Sequence, residues 1–282
     1  MRSDREFGRT GLRVSPVGLG CSRLGSVLGA SAEQSEQVLK AALEVGITFF
    51  DTSNVYAQGE SERLVGRTVK GRDDILVCTK VGKYLPLSKR ILLPFKSLIK
   101  TAVGGSKAMR EGVRQTRSKG LPTNWDPGHI RRSVEASLKR LQRDTVDVLM
   151  LHSPPAETIR RGDALAALAE LKTAGKIRVV GVSVDDVDAA RAALSDPRVE
   201  ALQIPLHPGV VDYDEILHQA AGQGVAIVAR EVLGGPNAIS ASSLNADTVR
   251  AHMVKAAARP EVALALIGTT KARHLQEAVS GF

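Results

Sequence analysis

The sequence predicts an α/β fold: a single (β/α)₈ TIM barrel with a short N-terminal β-hairpin and a long loop after strand three. Three observations carry this. Apolar, β-branched runs alternate with helix-patterned segments eight times. Those runs are dense in Val, Ile and Leu rather than alternating with polar residues, as strands covered on both faces are. No Gly- or Pro-rich linker separates two cores, and 282 residues suit one barrel, so 1–282 is read as a single domain.

The elements follow in order. FGRTGLRVSP forms the hairpin, its turn at Thr10-Gly11, capping the barrel bottom. VSPVGLG (14–20) is the first strand, and SAEQSEQVLKAALEVG (31–46) is a helix opened by a serine. ITFFDTS (47–53) leads to the helix ESERLVGRTV (60–69), and ILVCTKVG (75–82) is the third strand. The loop over 83–125 follows, then DPGHIRRSVEASLKRLQR (126–143), with proline just inside an aspartate cap. VDVLMLHS (146–153) precedes the helix 163–176, and RVVGVSV (178–184) precedes 187–196. ALQIPLHP (201–208) precedes 212–224, VAIVARE (225–231) precedes 246–258, and ALALIGTT (263–270) precedes 273–281.

Composition narrows the function classes. Two cysteines, Cys21 and Cys78, make no disulfide framework and have no metal-ligand spacing, so no metal and a reducing, cytoplasmic setting are expected. No apolar run has the length of a signal peptide or a membrane span. The net charge of +9 is local: Lys83 to Lys119 holds ten Lys or Arg and one acid, Glu111. No zinc finger, stacking platform or helix-turn-helix accompanies it, so nucleic acid is not the expected partner. The segment reads instead as a basic flap, mobile or partly disordered, whose field attracts an anionic cofactor or substrate.

In a barrel of this kind, functional groups gather at the C-terminal ends of the strands. Asp51, Lys80 and His152 end three separate strands, and Tyr56 lies just past the second. A buried lysine needs a partner, and Asp51 supplies one. The resulting ammonium is expected to lower the tyrosine pKa from its reference near 10, with His152 as a second hydrogen-bonding group. The set suits proton transfer to a carbonyl oxygen; it has no glycosidase carboxylate pair and no serine or cysteine beside a base. Hydride would have to come from a nicotinamide cofactor.

At these residues the chain resembles the aldo-keto reductase superfamily, in particular its shorter bacterial members. GITFFDTSNVYAQGESERLVGR is similar to the family signature, and Asp51, Tyr56, Lys80 in VCTKVG and His152 in LMLHSP fall on its catalytic positions. The likeness runs from GRTGLRVSPVGLG to LALIGTT. It implies NADP(H)-dependent interconversion of a carbonyl compound (aldehyde, ketone or sugar) and an alcohol. Tyr56 is the implied general acid/base, tuned by Lys80 and Asp51, with His152 orienting the carbonyl.

The resemblance also implies cofactor contacts. Ser183 and Gln203 match residues that hold the nicotinamide carboxamide, although Val184 stands where the family often has asparagine. VAREVLGG puts Arg230 at a stacking position usually held by tyrosine, with Leu233 in the same stretch. Gly268, Thr269, Thr270, Lys271 and His274 fall in the pocket for the adenosine 2′-phosphate, where His274 replaces an arginine and Ala278 an asparagine. NADP is expected, with NAD the alternative. GLGCSRLG is no dinucleotide fingerprint; Gly18 and Gly20 are read as a tight turn under the cofactor, Gly20 at the mouth. Tyr84 and Trp125 are candidate substrate-wall aromatics. Because many members continue past the eighth helix into a loop over the substrate, a more open pocket is expected here.

Two other readings stay open: a non-catalytic nucleotide-binding regulatory barrel, and a phosphate-binding barrel enzyme using Lys80 as a Schiff-base amine. The expected assembly is a monomer or weak homo-oligomer.

Overall fold

Phe49 and Phe50 are consecutive and both fully buried, yet they enter different cores. Phe49 packs inside a barrel with Leu76, Cys78, Val148 and Met150. Phe50 points the other way, into the layer shared by strands and helices, with Leu39, Leu64 and Val65. Successive strand side chains face opposite sides. A strand buried on both faces therefore carries an unbroken apolar run, which is the pattern seen in the sequence.

The structure is a computed structural model that describes residues 4–26, 29–86, 120–207, 213–234, 245–280 and 282. Its strands are β1 (Arg5–Glu6), β2 (Arg13–Val14), β3 (Val17–Gly20), β4 (Phe49–Asp51), β5 (Leu76–Val81), β6 (Val146–His152), β7 (Ile177–Ser183), β8 (Ala201–Pro205), β9 (Ala226–Arg230) and β10 (Val262–Ile267). The described helices are α1 (Ala32–Glu44), α2 (Glu60–Thr68), α3 (Pro127–Leu141), α4 (Ala156–Arg161), α5 (Asp163–Thr173), α6 (Val187–Leu194), α7 (Asp214–Gln223), α8 (Ala246–Ala257) and α9 (Ala272–Val279). Strands β3 to β10 close into a parallel barrel, β10 pairing with β3 through Ala265↔Val17 and Ile267↔Leu19. The expected (β/α)₈ architecture is the observed one.

Helix starts follow the local sequence. At α1, Ser31 Oγ accepts from the Gln34 amide at 3.1 Å while Gln34 Oε1 accepts from the Ser31 amide at 3.0 Å, a reciprocal capping box. At α3, Asp126 accepts from the His129 amide at 2.8 Å and Pro127 occupies the first helical position. Helix α4 was not anticipated. Its six residues are too few for a 3.6-residue period to register, and they follow two prolines that read as loop.

The hairpin forms two residues earlier than FGRTGLRVSP implies, with Arg5 paired to Val14 and Glu6 to Arg13. A 3₁₀ turn at Gly8–Thr10 joins its strands. Phe7, Leu12 and Val14 belong to the barrel-interior cluster, and the Phe7 ring lies 5.6 Å from that of Phe49, so the hairpin plugs the end opposite the mouth.

Both ends of the 83–125 excursion are held together. The Asn124 amide donates to the Gly82 carbonyl at 2.7 Å, and the Tyr84 amide to that of Pro122 at 3.0 Å. The Trp125 ring packs against Gly82, where φ is 103° and an added Cβ would fall 1.9 Å from the ring. Only glycine fits there. Of the flap expected over 83–125, residues 87–119 lie outside the described residues.

Gly18 and Gly20 form no turn; both are in β3. A Cβ at Gly18 would meet Leu264 at 2.8 Å and Leu266 at 2.9 Å, so this glycine makes room for the barrel core.

Candidate active site

All eight barrel strands deliver an anticipated residue to the same mouth. Gly20, Asp51, His152, Ser183 and Arg230 end β3, β4, β6, β7 and β9; Lys80 and Gln203 lie late in β5 and within β8; Gly268 follows β10. Strand pairing makes neighbours of them, with Asp51 opposite Gly20, and Ser183 opposite both His152 and Gln203.

At the centre, Lys80 Nζ donates to Asp51 Oδ1 at 2.6 Å and to the Thr52 carbonyl at 3.1 Å. Gln203 Nε2 donates to the same Asp51 oxygen at 3.2 Å, and Ser183 Oγ donates to Gln203 Oε1 at 2.8 Å. A polar chain therefore runs from β7 through β8 to β4 and β5, all of it buried. Burial alone would lower the Lys80 pKa, but Asp51 and, beyond it, Tyr56 outweigh that and raise it, so the side chain is an ammonium.

Tyr56 sits above this pair. Its ring centroid is 5.2 Å from Lys80 Nζ and 5.7 Å from the His152 ring, which it meets edge-on. The residue as a whole is half-buried, and burial acts on its hydroxyl. The backbone there is strained: Ala57 and Gln58 hold positive φ, 49° and 65°. The expected lowering of the tyrosine pKa is overturned. Burial raises the phenol, and Lys80, the strongest opposing influence, reduces the rise without cancelling it. At neutral pH the hydroxyl is a proton donor in waiting rather than a phenolate.

His152 is held well below the ordinary histidine value by burial first, then by the Lys83, Lys80 and Arg230 charges. It is a neutral imidazole with Nδ1 3.1 Å from Ser53 Oγ. Ser53 Oγ also donates to Asn54 Oδ1 at 3.2 Å, so this serine ties the imidazole to the loop that leads to Tyr56.

Arg230 is fixed by the Val184 carbonyl at 2.8 Å, by Glu231 at 2.5 Å and by Asp185. Leu233 is partly buried against the helix-side core. Gly20 and Gly268 lie against each other, a Cβ on the first falling 3.9 Å from Cα of the second. Thr269 and Thr270 are half-buried, and Lys271 and His274 are exposed at the start of α9. Thr269 Oγ1 accepts from the Lys271 amide at 3.2 Å, while Ala278 is buried on the core side. The Tyr84 ring meets His129 of α3 at 5.4 Å and lines a cleft of about 430 Å³ with Asn54, Gln58, Arg132 and Arg140.

The sequence profile of the Aldo/keto reductase family matches residues 16–279. This chain belongs to the aldo/keto reductase family. Among similar proteins, L-galactose dehydrogenase of Arabidopsis thaliana is 30% identical over 241 residues, 81% of this chain and 65% of that protein. The NADP(+) aldo-keto reductase yakc of Schizosaccharomyces pombe is 29% identical over 200 residues, 69% of this chain and 50% of that protein. The chain thus spans about half to two thirds of the length of these relatives. An aldo-keto reductase from Pseudomonas aeruginosa superposes with a TM-score of 0.77 at 24% identity, covering 99% of this chain and 94% of that one. The holo form of one from Bacillus halodurans gives 0.76 at 23%, covering 98% and 89%. These structural likenesses show the shared fold.

Aldo/keto reductases are oxidoreductases, and the family uses nicotinamide cofactors. This chain's own residues fit such a group. Ser183 and Gln203 are 2% and 1% exposed, and beyond the bonds above Gln203 keeps a second amide N–H and Ser183 its lone pairs. An amide donor and an acceptor side by side match a carboxamide. Two residues of the aldo/keto reductase mouth escaped the sequence reading: Ser53, which orients His152, and Lys83, whose ammonium lies close by. The only sequence signal for either was adjacency, in DTS and in TKVGK.

Proposed function

We propose that the chain interconverts a carbonyl compound and an alcohol with NADP(H), Tyr56 acting as general acid in reduction and general base in oxidation. One observation carries this: a protonated, enclosed phenol lies beside both a buried ammonium and a neutral imidazole. A bound nicotinamide supplies or takes up the hydride. Tyr56 holds the proton that the carbonyl oxygen receives. Lys80, kept charged by Asp51, stabilises the phenolate left behind, and that stabilisation grows as the proton departs. His152 hydrogen-bonds the same oxygen and orients it, its Nδ1 held at Ser53.

Ser183 and Gln203 would hold the nicotinamide carboxamide, with Arg230 beside it. Lys271, with Thr269, Thr270 and His274, would meet the adenosine phosphate; its charge favours NADP over NAD. A Schiff base on Lys80 is disfavoured, because that chemistry needs a free amine and Asp51 at 2.6 Å keeps this one protonated.

The test is turnover of an aldehyde panel with NADPH and NADH, comparing the natural chain with Tyr56→Phe. Cofactor binding, read by nicotinamide fluorescence, is expected to survive in the variant while kcat falls by roughly 10²–10⁴-fold. Unchanged kcat in a folded variant would remove Tyr56 from the chemistry.

A further inference from the structure

The mouth holds a cation whose environment the proposed chemistry leaves unexplained. Lys83, three residues beyond Lys80, donates from Nζ to Ser153 Oγ at 2.9 Å. Ser153 follows His152 directly and has a left-handed backbone, φ 55°. The Lys83 backbone is also fixed. Its carbonyl accepts from Asn54 Nδ2 at 3.0 Å, in the loop that leads to Tyr56, and the residue bridges to Thr123 across the base of the excursion.

The other cations here have counter-ions. Lys80 has Asp51, and Arg230 has Asp185 and Glu231. Lys83 is partly buried, and among the described residues no carboxylate lies within ion-pair distance of it. Asp185, whose charge reaches it, is engaged by Arg230. Burial, followed by Arg230 and Lys80, works to discharge the amine. A desolvated ammonium satisfied only by a hydroxyl is costly to maintain.

Topology assigns this cation a side. The anticipated cofactor residues occupy the arc from β7 through β10 to β3, whereas Lys83 and Ser153 follow β5 and β6 on the opposite arc. A negative charge delivered there belongs to the substrate rather than the cofactor.

We propose that Lys83, steadied by Ser153, recognises an oxyanion on the substrate, so that the preferred carbonyl compounds carry a carboxylate or phosphate group. This rests on the reductase reading above and narrows it to a substrate class. Lys83 acts in specificity: it binds the part of the molecule that does not react.

Matched pairs give the test. The 2-, 3- and 4-carboxybenzaldehydes are compared with their methyl esters, and glyceraldehyde 3-phosphate with glyceraldehyde, in the natural chain, Lys83→Met and Lys83→Arg. The expected result is a charged-over-neutral ratio of kcat/KM of roughly 10–100 in the natural chain, carried by KM. That ratio collapses towards one in Lys83→Met and is retained in Lys83→Arg. A purely structural role would shift both members of a pair together and leave the ratio unmoved, which overturns the proposal. A preference confined to one of the two oxyanions identifies which the site reads. Turnover without charge preference removes this inference and leaves the reductase standing. No turnover with any substrate and either cofactor sinks both.

Discussion

The ammonium nitrogen of Lys80 lies 2.6 Å from Asp51 Oδ1, and the two side chains are 1% and 6% exposed. So dry a pair stabilises the fold only while both partners are present. Asp51→Ala is expected to cost about 3–5 kcal/mol, since it leaves a buried charge uncompensated. The double variant Asp51→Leu, Lys80→Met should recover part of that loss. Urea unfolding followed by circular dichroism measures both; equal losses in the single and double variants would contradict the coupling.

The direction of the Tyr56 shift predicts opposite pH profiles for the two reactions. Reduction uses the protonated phenol, which burial keeps protonated beyond its ordinary value. Its kcat should therefore be nearly flat from about pH 6 to 9. Oxidation needs the phenolate and should rise roughly tenfold per pH unit over that span. Steady-state rates in both directions decide this, and a steep fall in reduction between neutral pH and pH 8 would refute it.

His152 ties stability to acidity. Its folded pKa is well below 6.5, so on acidification the unfolded chain takes up a proton that the folded one refuses. Stability is then highest above pH 6.5 and declines as pH falls below it, by at most about 1.4 kcal/mol per unit from this group. His152→Gln should flatten the dependence between about pH 6.5 and 5. Urea midpoints at three pH values, compared pairwise with the natural chain, isolate the contribution from that of His129.

Lys271 bears on cofactor choice. It is exposed just ahead of α9, beside amides that favour an anion. Lys271→Glu should weaken NADPH roughly tenfold while changing NADH little, because only the former carries the extra phosphate. Fluorescence titration with each cofactor reads this, and equal weakening of both would place the residue elsewhere in the pocket.

Much of this was written along the chain. A strand buried on both faces must be apolar throughout, so eight such runs separated by helices specified the barrel, and the barrel specified which strand ends converge. Asp51, Lys80 and His152 could be picked out because a charged or polar residue closing an apolar run has few reasons to be there. The capping residues Ser31 and Asp126 were equally plain, since caps act over three residues.

What tertiary structure decided is of another kind. Ser53 reaches His152 across 99 positions, and Gln203 reaches Asp51 across 152. Contacts of that range depend on strand register and barrel closure, and no local pattern encodes them. The sign of the Tyr56 shift was misjudged for the same reason. A lysine's attraction can be anticipated from which residues are present, but burial depends on how completely other elements enclose the hydroxyl, and here burial outweighs the charge. That Lys83 has no carboxylate partner among the described residues is likewise a matter of what surrounds it. Residue types state which interactions are available; three-dimensional packing settles which one wins.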